Sequence, residues 1–265
     1  MSFNKPFHRN YRPVVKTGPQ AGYSDWAYII DREYCQNPEH YTRAFLIIQE
    51  DIKKLFEFIE PSDINCLTYS FRIHELLMRT CIEIETNFKA IFKENIYTPI
   101  FSNGYRQGQP RTEKNWNIND FKKINKTHHL DDYSIEFPFW KGTKNIRKPF
   151  VEWKNNDNLT WYQTYNNAKH DRLNNFAEAN LDNLLNAFSG LCALLSAQFS
   201  HVDFQPGPDN LLAEGYNYFG GGFGIGDYLI VDYPENWNDD ELYSFDWTQL
   251  KKEPNRFEKI DYNLI

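Results

Sequence analysis

The sequence lacks the cysteine pairs, long apolar runs and excess positive charge that mark several common protein classes. Its four cysteines are widely spaced and form no CxxC pair, so we expect reduced thiols packed in the core rather than a disulfide framework or a zinc knuckle. No apolar run approaches the roughly 18 residues of a membrane span, and the N-terminus has no apolar signal-peptide core. We therefore expect a cytoplasmic protein without a membrane partner.

The charge balance excludes general electrostatic binding to duplex nucleic acid. The net charge is −7 and the sequence pI is about 5.5, whereas counterion release from DNA requires many clustered Lys and Arg side chains. A local basic site remains compatible with this balance. Hydrophobic residues make up 41% of the chain and aromatic residues 17%, which is enough to bury a core.

The spacing of apolar and breaking residues divides the chain into three segments. Residues 1–36 predict an extended arm that packs by its aromatic side chains, and residues 37–205 predict a helical bundle with an irregular insertion at about 95–157. Residues 206–265 predict a β-containing C-terminal elaboration packed on the bundle, with a flexible Gly-rich turn at 220–226 rather than a phosphate-binding loop. The fold class is therefore mainly α.

Two amphipathic patterns predict the first two helices of the bundle. The first helix is predicted to start at Asn37-Pro38, with Asn37 as its N-cap, and to end before Pro61. The second is predicted from about Leu67 to Lys93, long enough to be a central element. On it, His74 and Glu85 lie at the edge of the apolar stripe and are placed to reach a neighbouring helix. The opposite face is predicted to be a solvated ladder of ion pairs formed by Arg72, Glu75, Arg79 and Glu83.

The insertion contains one run of possible metal ligands, His128 to Asp132. Because it has no spaced partner set, we favour a solvated loop over a metal site. A short helix is predicted near 119–126, and short strands are predicted around 133–140 and 149–153. No cofactor is implied.

Two further helices are predicted to follow the insertion. Thr160 and Gln163 fit a capping box at the start of one, and Asn175 and Glu178 fit a related pattern at the start of the next. A polar segment lies between these two starts, and the geometry predicts that His170 points toward the packed side of the bundle.

That polar segment is the best candidate site. A histidine can act as general base, cations can neutralise phosphate, and a carboxylate can fix the imidazole tautomer. The alternative is a structural corner in which Asp171 and Arg172 cap helix ends and His170 bonds a backbone carbonyl. The candidate site residues are Asn166, Asn167, Lys169, His170, Asp171 and Arg172, with Glu85 in support.

The segments Ser70–Glu85 and Tyr165–Arg172 together resemble the HEPN superfamily of helical bundles, and the second also resembles a family of uncharacterised bacterial proteins. The resemblance covers roughly 38–94 and 160–200, and it implies a four-helix bundle and a homodimer that brings two copies of His170 to one cleft. In the ribonucleases of that superfamily an Arg precedes the His, but the corresponding positions here are Tyr165, Thr164 and Gln163.

Two functions follow from this resemblance. The first is a non-catalytic module that binds RNA, a nucleotide or a protein partner. The alternative is a metal-independent ribonuclease of a defence or toxin system, such as antiphage defence, with His170 as general base. The missing Arg favours the first function.

Overall fold

The computed structural model describes residues 7–15, 28–204 and 222–265, and the chain is mainly helical with one small antiparallel sheet. It divides into two compact units. One contains residues 37–85 and 130–234, and the other contains residues 1–36, 86–129 and 235–265. These units group the chain differently from the three predicted segments, because the two chain ends and part of the predicted insertion share one unit.

The unit of residues 37–85 and 130–234 contains the predicted bundle helices. Helix α1 is Pro38–Phe56, and helix α2 is Phe71–Glu94, of which residues up to Glu85 belong to this unit. After the insertion come α5 (Thr160–His170), the single turn α6 (Arg172–Asn175) and α7 (Leu181–Phe199). The predicted positions of the first two helices are confirmed to within a few residues.

Helix α7 is the most deeply buried element of this unit. Every residue from Ala187 to Phe199 is buried, which is the pattern of a helix enclosed on all sides. Phe188 stacks on Phe45 of α1 with ring centroids 5.1 Å apart. At Gly190 the absent side chain admits Trp161 of α5, because a Cβ there would lie 3.3 Å from the indole ring. The central helix is therefore α7, whereas the sequence had pointed to α2.

Ion pairs and hydrogen bonds connect α2 to its neighbours in this unit. Asp51 of α1 binds Arg72 at 2.7 Å and Arg79 at 2.6 Å, and Glu75 also pairs with both arginines. Three members of the predicted ladder, Arg72, Glu75 and Arg79, thus form ion pairs, and these centre on an aspartate from another helix. Glu85 accepts a hydrogen bond from Tyr162 Oη of α5 at 2.9 Å, which confirms that Glu85 reaches a neighbouring helix.

The sheet has the strand order β2-β1-β3 and lies in the same unit. Strand β1 (Ser134–Glu136) pairs antiparallel with β2 (Ile146–Arg147) and with β3 (Ile230–Asp232). Strand β1 matches the predicted strand at 133–140. The strand predicted at 149–153 is wrong, because Val151–Asn155 forms a 3₁₀ helix. Of the predicted Gly-rich turn, Gly220 and Gly221 lie outside the described residues, and Phe223 forms a bridge to Ile230.

Hydrogen bonds to Asp63 fix the loop that precedes β2. The Asp63 carboxylate accepts hydrogen bonds from Trp140 Nε1 at 2.7 Å and from the Thr143 backbone N–H at 2.8 Å. These bonds hold the pKa of Asp63 well below its usual value. Gly142 has φ +135°, and a Cβ there would lie 2.3 Å from the Asp63 carboxyl carbon, so the carboxylate occupies space that only glycine leaves open.

The predicted helix caps were partly wrong. Asn37 is the N-cap of α1, but it has left-handed backbone angles and makes no capping hydrogen bond through its side chain. The N-cap of α5 is Leu159, so Thr160 forms no capping box. Helix α7 begins at Leu181, and its cap is Asn180, whose side chain accepts from the Asn183 backbone N–H.

The unit of residues 1–36, 86–129 and 235–265 is built from short helices around aromatic side chains. Helices α3 (Ile118–Phe121) and α4 (Asn125–His128) flank a 3₁₀ turn and match the predicted short helix, and α8 is Trp247–Leu250. Phe121 stacks on Phe88 at 5.0 Å. Residues 235–265 belong to this unit, and Tyr243 and Phe245 of this segment are buried.

A buried arginine anchors the arm to this unit. Arg9 is fully buried and donates to Cys35 Sγ at 3.2 Å and to Asn87 Oδ1 at 3.1 Å. Burial raises the pKa of the Cys35 thiol to about 12. All four cysteines are buried and free, so the prediction that they pack in the core is confirmed. The predicted arm residues before Phe7 and from Lys16 to Ala27 lie outside the described part.

The run from His128 to Asp132 is not a solvated loop. His128 is fully buried, its Nε2 bonds the Arg9 carbonyl, and its Nδ1 lies 2.9 Å from Thr127 Oγ1. Across residues 7–15, 28–204 and 222–265, no group of three or more His, Cys, Asp or Glu side chains could hold a metal ion. In that same part of the chain, no helix combines the length and apolar content that crossing a membrane requires.

Candidate functional site

The candidate segment forms the end of α5 and the turn that follows it. His170 is the last residue of α5, and its side chain is exposed. The prediction that His170 points toward the packed side is therefore wrong. The apolar face of α5 carries Trp161, Tyr165 and Ala168 instead, and the chain leaves the helix direction at Asp171 before His170 can be covered.

Asp171 acts as a helix cap rather than as a partner of the imidazole. Its side chain accepts from the Asn174 backbone N–H at 3.3 Å and from Asn174 Nδ2 at 2.7 Å. It is thereby the N-cap of α6, so the alternative in which this residue caps a helix end is confirmed. The proposed role of Asp171 in fixing the His170 tautomer is not supported, because its carboxylate oxygens serve these bonds.

Lys169 belongs to a cluster at the junction of α5 and α2. Its Nζ donates to Tyr165 Oη at 3.1 Å. Tyr165 and Tyr162 are buried beside Glu85, and burial together with the Glu85 carboxylate raises the pKa of both phenols. The same two causes raise the pKa of the Cys81 thiol. Glu85 is thus held by the tyrosines of α5.

Arg172 belongs to a second cluster, built around the first turn of α2. Its guanidinium carbon lies 5.4 Å from the centroid of the Phe71 ring, within the range of a cation–π contact. Phe71 in turn contacts Phe176 with ring centroids 4.8 Å apart, and Phe176 also meets Tyr69 edge-on at 5.7 Å. We call Tyr69, Phe71, Phe176 and Arg172 the aromatic patch.

The aromatic patch is open to solvent. Phe71 is 68% exposed and Tyr69 is 51% exposed, although side chains of this type are usually covered in a folded protein. The neighbouring Leu173 is 87% exposed. An exposed apolar surface next to cations is a feature of binding sites rather than of protein cores.

Local backbone bonds hold the patch in place. Ser70 accepts a hydrogen bond from the Ile73 backbone N–H through its hydroxyl at 3.2 Å, which caps the start of α2. The first backbone N–H groups of α7 donate to the segment that precedes α2. Leu181 donates to the Thr68 carbonyl at 2.8 Å and Asp182 to the Cys66 carbonyl at 2.9 Å. The backbone on both sides of Tyr69 is therefore fixed, so its ring and that of Phe71 are presented from a rigid support.

His74 borders the patch one turn into α2. Its ring centroid lies 5.9 Å from that of Phe176, and its Nε2 is buried without a hydrogen-bond partner in the described part of the chain. The sequence had placed His74 at the edge of the apolar stripe, and contact with Phe176 agrees with that position. Asn166 is half-buried and Asn167 is exposed, and neither lies in the aromatic patch.

The structure therefore separates the predicted site residues. Arg172 lies in the aromatic patch, Lys169 and Glu85 meet at the junction of α5 and α2, and Asp171 caps α6. The sequence missed the aromatic members of the patch, since an apolar residue at a helix start is ordinarily assigned to the core. The available signal was that Phe71, at a helix start, has the polar residues His74 and Glu75 three and four positions later rather than an apolar partner.

Comparison with known proteins adds no assignment to this geometry. No protein-family model, no curated protein and no solved structure matches the chain.

Proposed function

We propose that the chain is a non-catalytic binding module and that the aromatic patch binds single-stranded RNA or a nucleotide. The observation that supports this most strongly is the exposed Phe71 ring, with Arg172 over one side and Phe176 against it. Exposed aromatic side chains stack on nucleobases, and adjacent cations contact phosphate. Unpaired bases offer such faces, whereas duplex bases do not.

The neighbouring cations fit the same ligand. Lys169 and His170 immediately precede the patch along the chain, and both are exposed. Lys169 keeps donor capacity beyond its bond to Tyr165, because an ammonium group carries three N–H donors. Arg172 lies within cation–π distance of the Phe71 ring, so its guanidinium can contact the phosphate of a base stacked there. A local site of this kind is compatible with a net charge of −7, since it does not depend on the field of the whole chain.

A relationship of the chain to HEPN-like helical bundles is part of this proposal. Helices α1, α2, α5 and α7 make pairwise contacts through Phe45 with Phe188, Asp51 with Arg79, Glu85 with Tyr162 and Gly190 with Trp161. These contacts support a HEPN-like four-helix bundle. The homodimer that brings two copies of His170 to one cleft, a cytoplasmic location and a bacterial defence role stay predictions.

A ribonuclease activity of His170 is the second candidate, and the exposure of the imidazole favours it. A general base also requires an orienting partner. Within the described residues no hydrogen bond of the His170 side chain is found, and Asp171 is engaged with Asn174. The binding function is therefore better supported than cleavage.

Fluorescence anisotropy with a labelled single-stranded RNA oligonucleotide tests the proposal. Because base–aromatic stacking contributes about 1–3 kcal/mol per base, we expect Phe71→Ala to weaken binding by roughly 5- to 150-fold. Phe58→Ala is the matched control, since Phe58 is 85% exposed in the same unit but outside the patch. Equal affinity of the wild type and Phe71→Ala would refute the proposal.

The same RNA separates binding from cleavage. After incubation with the wild type and with His170→Ala, the RNA is run on a denaturing gel. We expect intact RNA in both samples. Cleavage by the wild type that is lost in His170→Ala would instead establish the ribonuclease alternative. Cell growth and cellular RNA integrity after expression of the two proteins provide the corresponding test in vivo.

A further inference from the structure

The exposed side of helix α1 carries charges that are arranged about a central point. Residues at equal distances on either side of this point have opposite charges. The centre is formed by Leu46 and Ile47, and Ile47 is 48% exposed. At about 100° per residue, the charged residues on both sides of this centre fall on the same face of the helix. Mirror positions about the centre carry opposite charges: Arg43 with Glu50, and Glu39 with Lys54.

Ion pairs within the unit do not engage all the charged residues of this pattern. Asp51, next to this charged face of α1, is already bound by two arginines of α2. Glu50 pairs with Lys53 at 2.7 Å, but both side chains are substantially exposed, and such pairs contribute little. In the part of the chain that the structure describes, no ion pair is found for Arg43 or Lys54. Arg43 and Lys54 are therefore able to bind an external partner.

Apolar surface continues from Leu46 and Ile47 of α1 onto α2. Ile82 is 52% exposed and lines a shallow groove together with Ala44 and Ile47. Exposed isoleucines on two adjacent helices give a patch that covers more area than a single side chain, and the rim is charged. An apolar centre with a polar rim is the usual composition of a protein–protein interface.

We propose that this face binds a second copy of the chain, with the two α1 helices antiparallel across a two-fold axis. In that arrangement Ile47 of each copy packs near Leu46 of the other, and Arg43 faces Glu50 twice. The outer pair, Glu39 with Lys54, also forms twice. An isologous contact requires a surface complementary to itself, and the mirrored charges meet that requirement.

A second copy explains the pattern better than a different protein does. A foreign partner requires only complementarity to its own surface, so it gives no reason for charges that mirror each other about one point. The proposal is independent of the RNA-binding function. It also differs from the dimer implied by the HEPN resemblance, because it places the axis on α1 rather than at His170.

Sedimentation velocity over a concentration series tests the proposal through charge reversal. We expect the wild type to self-associate, and we expect Arg43→Glu and Glu50→Arg each to weaken dimerisation by about tenfold or more, because like charges then face each other across the axis. The double variant Arg43→Glu/Glu50→Arg restores opposite charges in both copies. It should therefore dimerise to within about threefold of the wild type.

Asp240→Arg is the matched control, since it reverses an exposed acidic residue in the other unit. It should leave dimerisation unchanged, and circular dichroism should give the same helix content for all variants. Ile47→Asp, at the centre of the charged face of α1, should abolish association without unfolding the chain. A wild type that stays monomeric, a dimer unaffected by the single reversals, or a double variant as weak as the single ones would each overturn the proposal.

Discussion

The buried imidazole of His128 makes the stability of the chain depend on pH in a predictable direction. Burial, together with the nearby charges of Arg12 and Arg9, lowers the pKa of His128 from 6.5 to about 3, although the bond that Nε2 donates to the Arg9 carbonyl opposes this shift. In the unfolded chain the ordinary value returns. Below pH 6.5 the unfolded state therefore binds a proton that the folded state does not, and the free energy of unfolding falls as the pH falls.

The size of the effect follows from the difference between the two pKa values. One pH unit corresponds to about 1.4 kcal/mol where only the unfolded state is protonated. Between about pH 7.5 and about pH 5, where the unfolded imidazole becomes charged and the folded one stays neutral, His128 alone should lower the free energy of unfolding by about 2 kcal/mol.

Urea unfolding at several pH values, with the wild type and His128→Gln side by side, measures this contribution. Gln keeps an N–H donor for the Arg9 carbonyl but does not titrate, so the variant should be less stable at neutral pH and should lose less stability on acidification. His8, whose pKa is lowered to about 4 by burial, titrates in both proteins and cancels in the difference. Parallel stability–pH curves for the two proteins would contradict this prediction, since they would mean that folding does not shift the His128 titration.

Three further substitutions test the packing that supports the site. Gly142→Ala should lower the thermal midpoint by several degrees, because its φ of +135° and the Asp63 carboxylate leave no room for a Cβ; a midpoint equal to that of the wild type would contradict the loop geometry. Phe45→Ala should lower the free energy of unfolding in urea by about 3–5 kcal/mol, since it removes a buried ring stacked on α7, and a loss below about 1 kcal/mol would argue against that contact. Tyr162→Phe should cost about 1 kcal/mol through the lost bond to Glu85, and an unchanged urea midpoint would show that the bond contributes nothing.

The elements that the sequence predicted well are those in which one local pattern dominates. The first two helices follow from apolar spacing that continues for several turns, and their observed bounds, Pro38–Phe56 and Phe71–Glu94, agree with it. The cysteines follow from their apolar neighbours. In each case local sequence and tertiary environment favour the same conformation.

The start of α7 was missed because two asparagines offer similar caps. Asn175 with Glu178 fits a capping box, and Asn180 is an equally good N-cap residue, although Asn183 rather than Glu or Gln follows it at the third position. Tertiary bonds decide between them: the N–H groups of Leu181 and Asp182 donate to carbonyls of a segment more than 100 residues earlier. No local pattern contains that information.

The candidate site was predicted only in part for the same reason. Composition identified the polar corner, and Arg172 does lie in the aromatic patch. Its partner Phe71 is distant in sequence, and an aromatic residue at the start of an amphipathic helix predicts burial. The placement of His170 failed because the chain turns at Asp171 to begin α6, which leaves the imidazole in solvent.

Photo-crosslinking of RNA to the native chain shows directly whether the aromatic patch binds RNA. A single-stranded oligonucleotide containing a photoreactive pyrimidine is bound, irradiated and digested, and the crosslinked peptides are identified by mass spectrometry. We expect crosslinks within residues 69–71 and 172–176, and we expect Phe71→Ala to remove them. Absence of any crosslink, or crosslinks confined to other surfaces, would contradict the assignment of the aromatic patch as the binding site.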